Sequence, residues 1–245
     1  MWRLALLPCL AAFHLAAQAA CQTGLAERLH AKLHPQRALV HELAVCEPWR
    51  GYLGRSIVVL PMTAADASLE LDVLVVQIPD NGNSEGATVL ARLEQRIRSG
   101  GDTALQVSDI ELDGARWRLA PELRSFGLRV TRRNTSLQQP SSSETLSIYG
   151  LHGGKLQLLL DEFETRLERG QWDLSCRGQF DKQQSQVSVS RSATTRGLAD
   201  LLVRRSDRRA SNELQGEECV ELSAPPSYRE FSLRYDGERY APPRD

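Results

Sequence analysis

Four groups of residues in this chain have the types and spacing that chemistry would need. Gly82-Asn83-Ser84-Glu85-Gly86 matches G-x-S-x-G, the pattern of a serine nucleophile held on a sharp strand-to-helix turn. Ser84 would then act in a hydrolase with a later acid and a later histidine. His152 is the only histidine that follows it, and Pro79-Asp80-Asn81 separates the serine from the preceding apolar run. The joined strand and turn of a nucleophile elbow are therefore missing. Asp80, Asn83 and Glu85 offer oxygen ligands on the same loop, without the regular donor spacing of a twelve-residue calcium loop. His30 and His34 lie four apart and His41 follows. Such a pair shares a helix face and could hold zinc, but no Glu follows His30, as the zinc-protease motif requires.

The fourth group is arginine. Arg204, Arg205, Arg208 and Arg209 surround Ser206-Asp207, and Arg129, Arg132 and Arg133 form a second cluster. Guanidinium forks grip phosphate or carboxylate. The first cluster is the expected binding region, together with the aromatics Trp117, Tyr149, Tyr235 and Tyr240. No cofactor and no metal is expected.

The elements that must position these residues follow from composition and pattern. The chain has 245 residues, 41% of them hydrophobic, enough for a real core. Lys+Arg 30 against Asp+Glu 31 gives a net charge of −1, which excludes the broad basic footprint of a nucleic-acid binder. Met1-Trp2-Arg3, the apolar run Leu4 to Ala17 and the small residues of Ala17-Gln18-Ala19 form the three parts of a secretory signal peptide. Cleavage is expected after Ala19, leaving residues 20–245 as one mainly β domain. No later apolar run is long enough to span a membrane as a helix. The expected compartment is periplasmic or extracellular. Lipidation at Cys21 fits less well, because Gln18 stands where a lipoprotein box has an aliphatic residue.

Without Cys9, four cysteines remain: Cys21, Cys46, Cys176 and Cys219. An even number in an oxidising compartment reads as disulfides. Three pairings are open, and the sequence-local one, Cys21–Cys46 with Cys176–Cys219, is favoured. No C-x₂-C spacing suggests zinc.

Leu25, Leu29 and Leu33 recur every four residues, a short amphipathic helix stopped before Pro35. Ser56 to Leu60 and Leu71 to Ile78 are apolar on both faces and read as central strands. Ala87 to Ile97 reads as a strand. Hairpins are expected at Asp113-Gly114, Gly153-Gly154 and Asp236-Gly237, where tight turns need positive φ. Val187 to Ser190 alternates as a half-exposed strand, and Leu198 to Val203 is a further apolar run. Thr135 to Glu144 and Arg205 to Glu218 read as polar loops, the first a candidate subdivision near 134–144. The fold expected is antiparallel meander sheets, either propeller-like or a sandwich, after a short N-terminal helix. Residues 110–121 and 233–242 also resemble each other, a weak internal repeat.

Gly197-Leu198-Ala199-Asp200-Leu201-Leu202-Val203 followed by Leu233 to Tyr240 resembles a C-terminal pattern, G-x-x-D-L-x-V … Y-D-G-x-x-Y. Uncharacterised bacterial envelope proteins carry it, and it is distantly similar to FG-GAP/VCBS repeats. Cys46-Glu47-Pro48-Trp49 and Gly170 to Cys176 resemble the same group. The resemblance implies a β-rich extracytoplasmic fold. It does not carry calcium binding, since Ser192 to Arg196 lacks the carboxylates of the FG-GAP loop. The function expected is a non-catalytic binding or accessory role toward an envelope component or a protein partner. The alternatives are a serine hydrolase using Ser84 and an inhibitor or immunity protein for a secreted enzyme.

Overall fold

The computed structural model describes residues 24–64, 68–79, 84–97 and 105–241. It is mainly β, in two antiparallel sheets facing each other, with one short helix outside. The smaller sheet has four strands in chain order: β1 (Val45–Pro48), β2 (Arg55–Thr63), β3 (Leu69–Gln77) and β4 (Thr88–Arg96). β2 and β3 are central and buried on both faces, as their continuous apolar runs require. Helix α1 (Leu25–Leu33) lays Leu25, Ala26 and Leu29 on the outer face, against Val58, Leu60, Leu74 and Val76. It stops at His34, just before Pro35.

The larger sheet has nine strands. They are β5 (Gln106–Asp113), β6 (Arg124–Arg133), β7 (Ser141–His152), β8 (Lys155–Trp172), β9 (Gly178–Thr195), β10 (Leu198–Gln215), β11 (Glu218–Ser223), β12 (Ser227–Tyr235) and β13 (Tyr240–Ala241). All but one follow a meander, and β11 and β12 lie end to end along β10. Ile110, Phe126, Leu128, Val130 and Tyr149 meet Ile57, Val59, Leu71 and Val73 of the smaller sheet, forming the main core. A second core lies on the other face of the larger sheet, with Leu146, Ile148, Leu201, Val203 and Leu233 under Trp117, Leu119 and Tyr240. The fold is a sandwich; no ring of blades and no closed barrel is present among the described residues.

Two turn expectations hold. Gly153 and Gly154, both at positive φ, join β7 to β8, and the Asp236-Gly237 turn joins β12 to β13. Two others are corrected. β5 ends at Asp113, and 114–123 folds over the second core instead of returning as a strand, because burying Trp117 and Leu119 outweighs turn preference. Residues 205–215 are strand, with ladder partners on both sides. Residues 134–140 form the expected loop, up to the start of β7 at Ser141; they link β6 to β7 within one sheet, and the chain passes from the smaller to the larger sheet between β4 and β5.

The two repeat-like segments converge on that second core. Trp117 and Tyr240, each four residues after the Asp of its Asp-Gly pair, both sit in it. Tyr240 donates to the Ala199 carbonyl at 2.6 Å, and Ala199 N–H donates to the Leu119 carbonyl at 2.8 Å.

The far halves of β8, β9 and β10, with β11, extend as a polar ribbon. The Cys176–Cys219 disulfide ties its end. Cys46 is also in a disulfide; Cys21, its expected partner, lies outside the described residues, as does the signal segment 1–19.

Glu70 ties the segment after α1 to the sheet, accepting from Arg37 at 2.7 Å and Arg96 at 3.0 Å. The Arg96 and Arg37 hydrogen bonds hold its carboxyl below the usual range. A depressed carboxyl stabilises the fold above its unfolded pKa and loses that contribution as pH falls through the folded value. Urea midpoints between pH 7 and pH 3 should therefore fall less steeply for Glu70→Gln than for the parent. Parallel curves would remove Glu70 from the acid response.

Candidate functional site

Residues directly opposite in an antiparallel ladder share a face, and successive residues alternate. Arg205 on β10 stands opposite Ser185 on β9 and opposite Arg229 on β12. At the other edge, Glu111 on β5 stands opposite Arg129 on β6. These residues line one trough of about 940 Å³ that also takes in Glu144 of β7 and Thr165 of β8. Seven strands thus contribute to one surface.

One end of the trough is fixed by hydrogen bonds. Arg129 donates from Nε to Asp113 at 2.7 Å and from Nη1 to Glu144 at 2.6 Å and Thr165 at 3.3 Å. Thr165 donates to the same Glu144 oxygen at 2.6 Å. Desolvation opposes the Arg129 charge, but Asp113 and Glu144 outweigh it and push its pKa up. Partial desolvation, then repulsion from Asp109 and Glu144, raises the Glu111 carboxyl above its ordinary value.

The other end is less satisfied. Arg205 donates from Nε to Ser185 at 3.1 Å and lies 5.5 Å from the centre of the Phe231 ring. Among the described residues, no carboxylate reaches salt-bridge distance of Arg205. Arg229 has Asp207 at 3.6 Å. Like charges directly opposite on a sheet repel. Beyond them on the same face, the half-buried Val187 and Phe231 flank Val203, which is itself buried in the second core.

The strand splits the expected arginine cluster. Arg204 alternates away from Arg205 along the strand and pairs with Glu230 at 2.7 Å, and both residues still border the trough. Arg208 reaches Ser223 at 3.1 Å, and Arg209 lies 3.3 Å from Asp181. Arg205 stays in the trough and is joined by Arg129 of the second cluster. Arg132 is instead buried with Glu162. Of the aromatics, Trp117, Tyr149 and Tyr240 are core residues, and Tyr235 packs at the edge of the second core. Reading only the sequence missed Arg229 and Ser185. For Arg229 the signal is the alternation of Ser227 to Leu233, which sets Arg229, Phe231 and Leu233 on one face.

Ser84 opens a short 3-10 turn, and its hydroxyl meets Arg28. A guanidinium stays protonated and does not serve as a general base. Asp80 and Asn83 lie outside the described residues. His41 pairs loosely with Glu27 at 3.4 Å. The His30 imidazole is desolvated and close to His34, which lowers its pKa.

His34, Asp72 and Glu94 bring ligand atoms together as a metal site would. His34 Nε2 is 2.8 Å from Asp72, but Arg92 already stands among the three, 2.9 Å from the same Asp72 oxygen. The protein supplies its own cation there, and the cluster anchors the end of α1 on β3. No protein-family model, curated protein or solved structure matches this chain.

Proposed function

We propose that the chain is an exported, non-catalytic binding protein whose trough grips an anionic group of an envelope component or protein partner. The observation that carries this reading is the facing pair Arg205 and Arg229, set directly opposite on one face, with no described carboxylate in reach of Arg205 and Asp207 3.6 Å from Arg229. Two guanidinium groups facing each other across the ladder repel. A phosphate or carboxylate between them would accept from both forks. The half-buried Val187 and Phe231 beside them suit a ligand with an uncharged part next to its anion. Export is supported by the leader-like segment and by the Cys176–Cys219 disulfide, a bond typical of oxidising compartments.

Calorimetric titration with linear polyphosphate and with oligo-aspartate tests the reading and separates the two anion types. Each hydrogen bond to a charged group contributes about 1.5–3 kcal/mol. The double variant Arg205→Ala/Arg229→Ala should therefore bind at least about tenfold more weakly. Affinity should fall with added salt. It should rise as acid neutralises Glu111, and Glu111→Gln should blunt that rise. Affinities for both probes unchanged in the double variant would sink the proposal.

A further inference from the structure

A second surface lies on the far end of the ribbon, on the opposite face from the trough. Register sets Gly170, Phe180 and Ala210 in one row across β8, β9 and β10, and Trp172, Gly178 and Asn212 in another row on the same face. Glycine and alanine leave this face nearly bare. A Cβ on Gly170 would stand 2.8 Å from Phe180 Cδ1, and one on Gly178 2.8 Å from Phe180 Cε2. The phenyl ring therefore rests on both bare backbones. Trp172 is 38% exposed, whereas Trp49 and Trp117 are 5% and 4% exposed.

Segment 138–140 runs alongside this end of β8. Trp172 N–H donates to the Gln138 carbonyl at 2.8 Å, and Gly170 N–H donates to the Pro140 carbonyl at 2.9 Å. A hollow of about 840 Å³ is bordered by Trp172, Gln138 and Asn212. Neither the Gln138 nor the Asn212 side-chain amide bonds another described residue. The two rows carry no charged side chain, although Asp173, Arg177 and Glu213 also border the hollow. The next row on this face, Glu168, Lys182 and Arg208, is charged but engaged, with Lys182 2.8 Å from Glu168 and Arg208 on Ser223. The disulfide holds the end of the ribbon in shape, which lowers the cost of ordering it on binding.

Flat aromatic rings and free amides, with charges only around the border of the hollow, fit one ligand chemistry. A pyranose ring presents a face of C–H groups that stacks on an indole or phenyl ring. Its hydroxyls, each donor and acceptor, pair with amides, which also offer both functions. We infer that the end of the ribbon binds an uncharged glycan chain, with Trp172 and Phe180 as stacking platform and Asn212 and Gln138 as hydroxyl partners. This site is independent of the trough.

The test uses the full mature chain and three probes: chitohexaose, cellohexaose and maltohexaose. Trp172 is the exposed tryptophan of the described residues, so its emission reports binding against a constant background from the buried pair. At least one probe should give a saturable blue shift below about 10 mM. Trp172→Ala should weaken that binding at least about tenfold, Trp172→Tyr should retain most of it, and Arg205→Ala/Arg229→Ala should leave it unchanged. Circular dichroism of the variants should match the parent, since Trp172 lies at the surface. No saturable change with any of the three probes, or one that Trp172→Ala leaves intact, would overturn the inference.

Discussion

Replacing Arg132 by methionine will destabilise the protein by about 3–5 kcal/mol, the usual cost of stranding one partner of a buried ion pair. The Arg132 and Glu162 side chains are only 4% and 3% exposed. Arg132 also donates to Thr145 at 3.0 Å. Glu162 is held by its backbone: it sits at φ 43 in a bulge where β8 carries extra residues opposite Ser147. Its N–H donates to the Ser147 hydroxyl at 3.1 Å. The carboxylate therefore cannot turn to water cheaply when the guanidinium is gone. The double variant Arg132→Met/Glu162→Met should recover much of the loss, because neither charge is then buried alone. Urea unfolding of the two variants measures both effects. A single variant within about 1 kcal/mol of the parent would show that water reaches Glu162.

Removing the Cys176–Cys219 bridge, as Cys176→Ser/Cys219→Ser, should cost about 4 kcal/mol. That figure comes from the chain-entropy model for a loop closed across 43 residues. The bridge spans the β8–β9 turn and the β10–β11 hairpin, both at the end of the ribbon. Few apolar contacts hold that region otherwise, since residues 208–223 are mostly exposed. The loss should thus appear first as faster amide exchange in residues 170–180 and 210–222, while β2, β3 and β7 stay protected. Equal exchange with and without the bridge would mean that strand pairing alone sustains the ribbon.

Much of the sandwich was legible in the sequence. Val58, Val59, Val73 and Val75 form runs apolar on both faces, and a central strand covered by a helix and a second sheet is what such runs describe. The ribbon was not legible. Arg205 to Glu218 has no apolar alternation, because little of it is buried, and such a stretch reads as a loop. Its strand state comes from ladders to β9, β11 and β12, which only the fold supplies. Asp113-Gly114 misled for the opposite reason: a local turn preference lost to the burial of Trp117.

The trough was half visible. Arg205 and Arg129 were singled out as members of separate clusters. Their meeting depends on strand order and curvature across the whole larger sheet, which no local pattern records. Adjacent arginines in a run read as one patch, but strand geometry sends Arg204 and Arg205 to opposite faces. Whether the residue stretch is strand or loop therefore decides which charges act together.

The central claim, an anion held between Arg205 and Arg229, is tested most directly by amide hydrogen exchange with and without saturating linear polyphosphate or oligo-aspartate, whichever binds. The account predicts added protection in residues 183–187 of β9, 201–207 of β10 and 227–231 of β12, and none at the end of the ribbon. Protection confined to other strands, or none in these three segments, would contradict it.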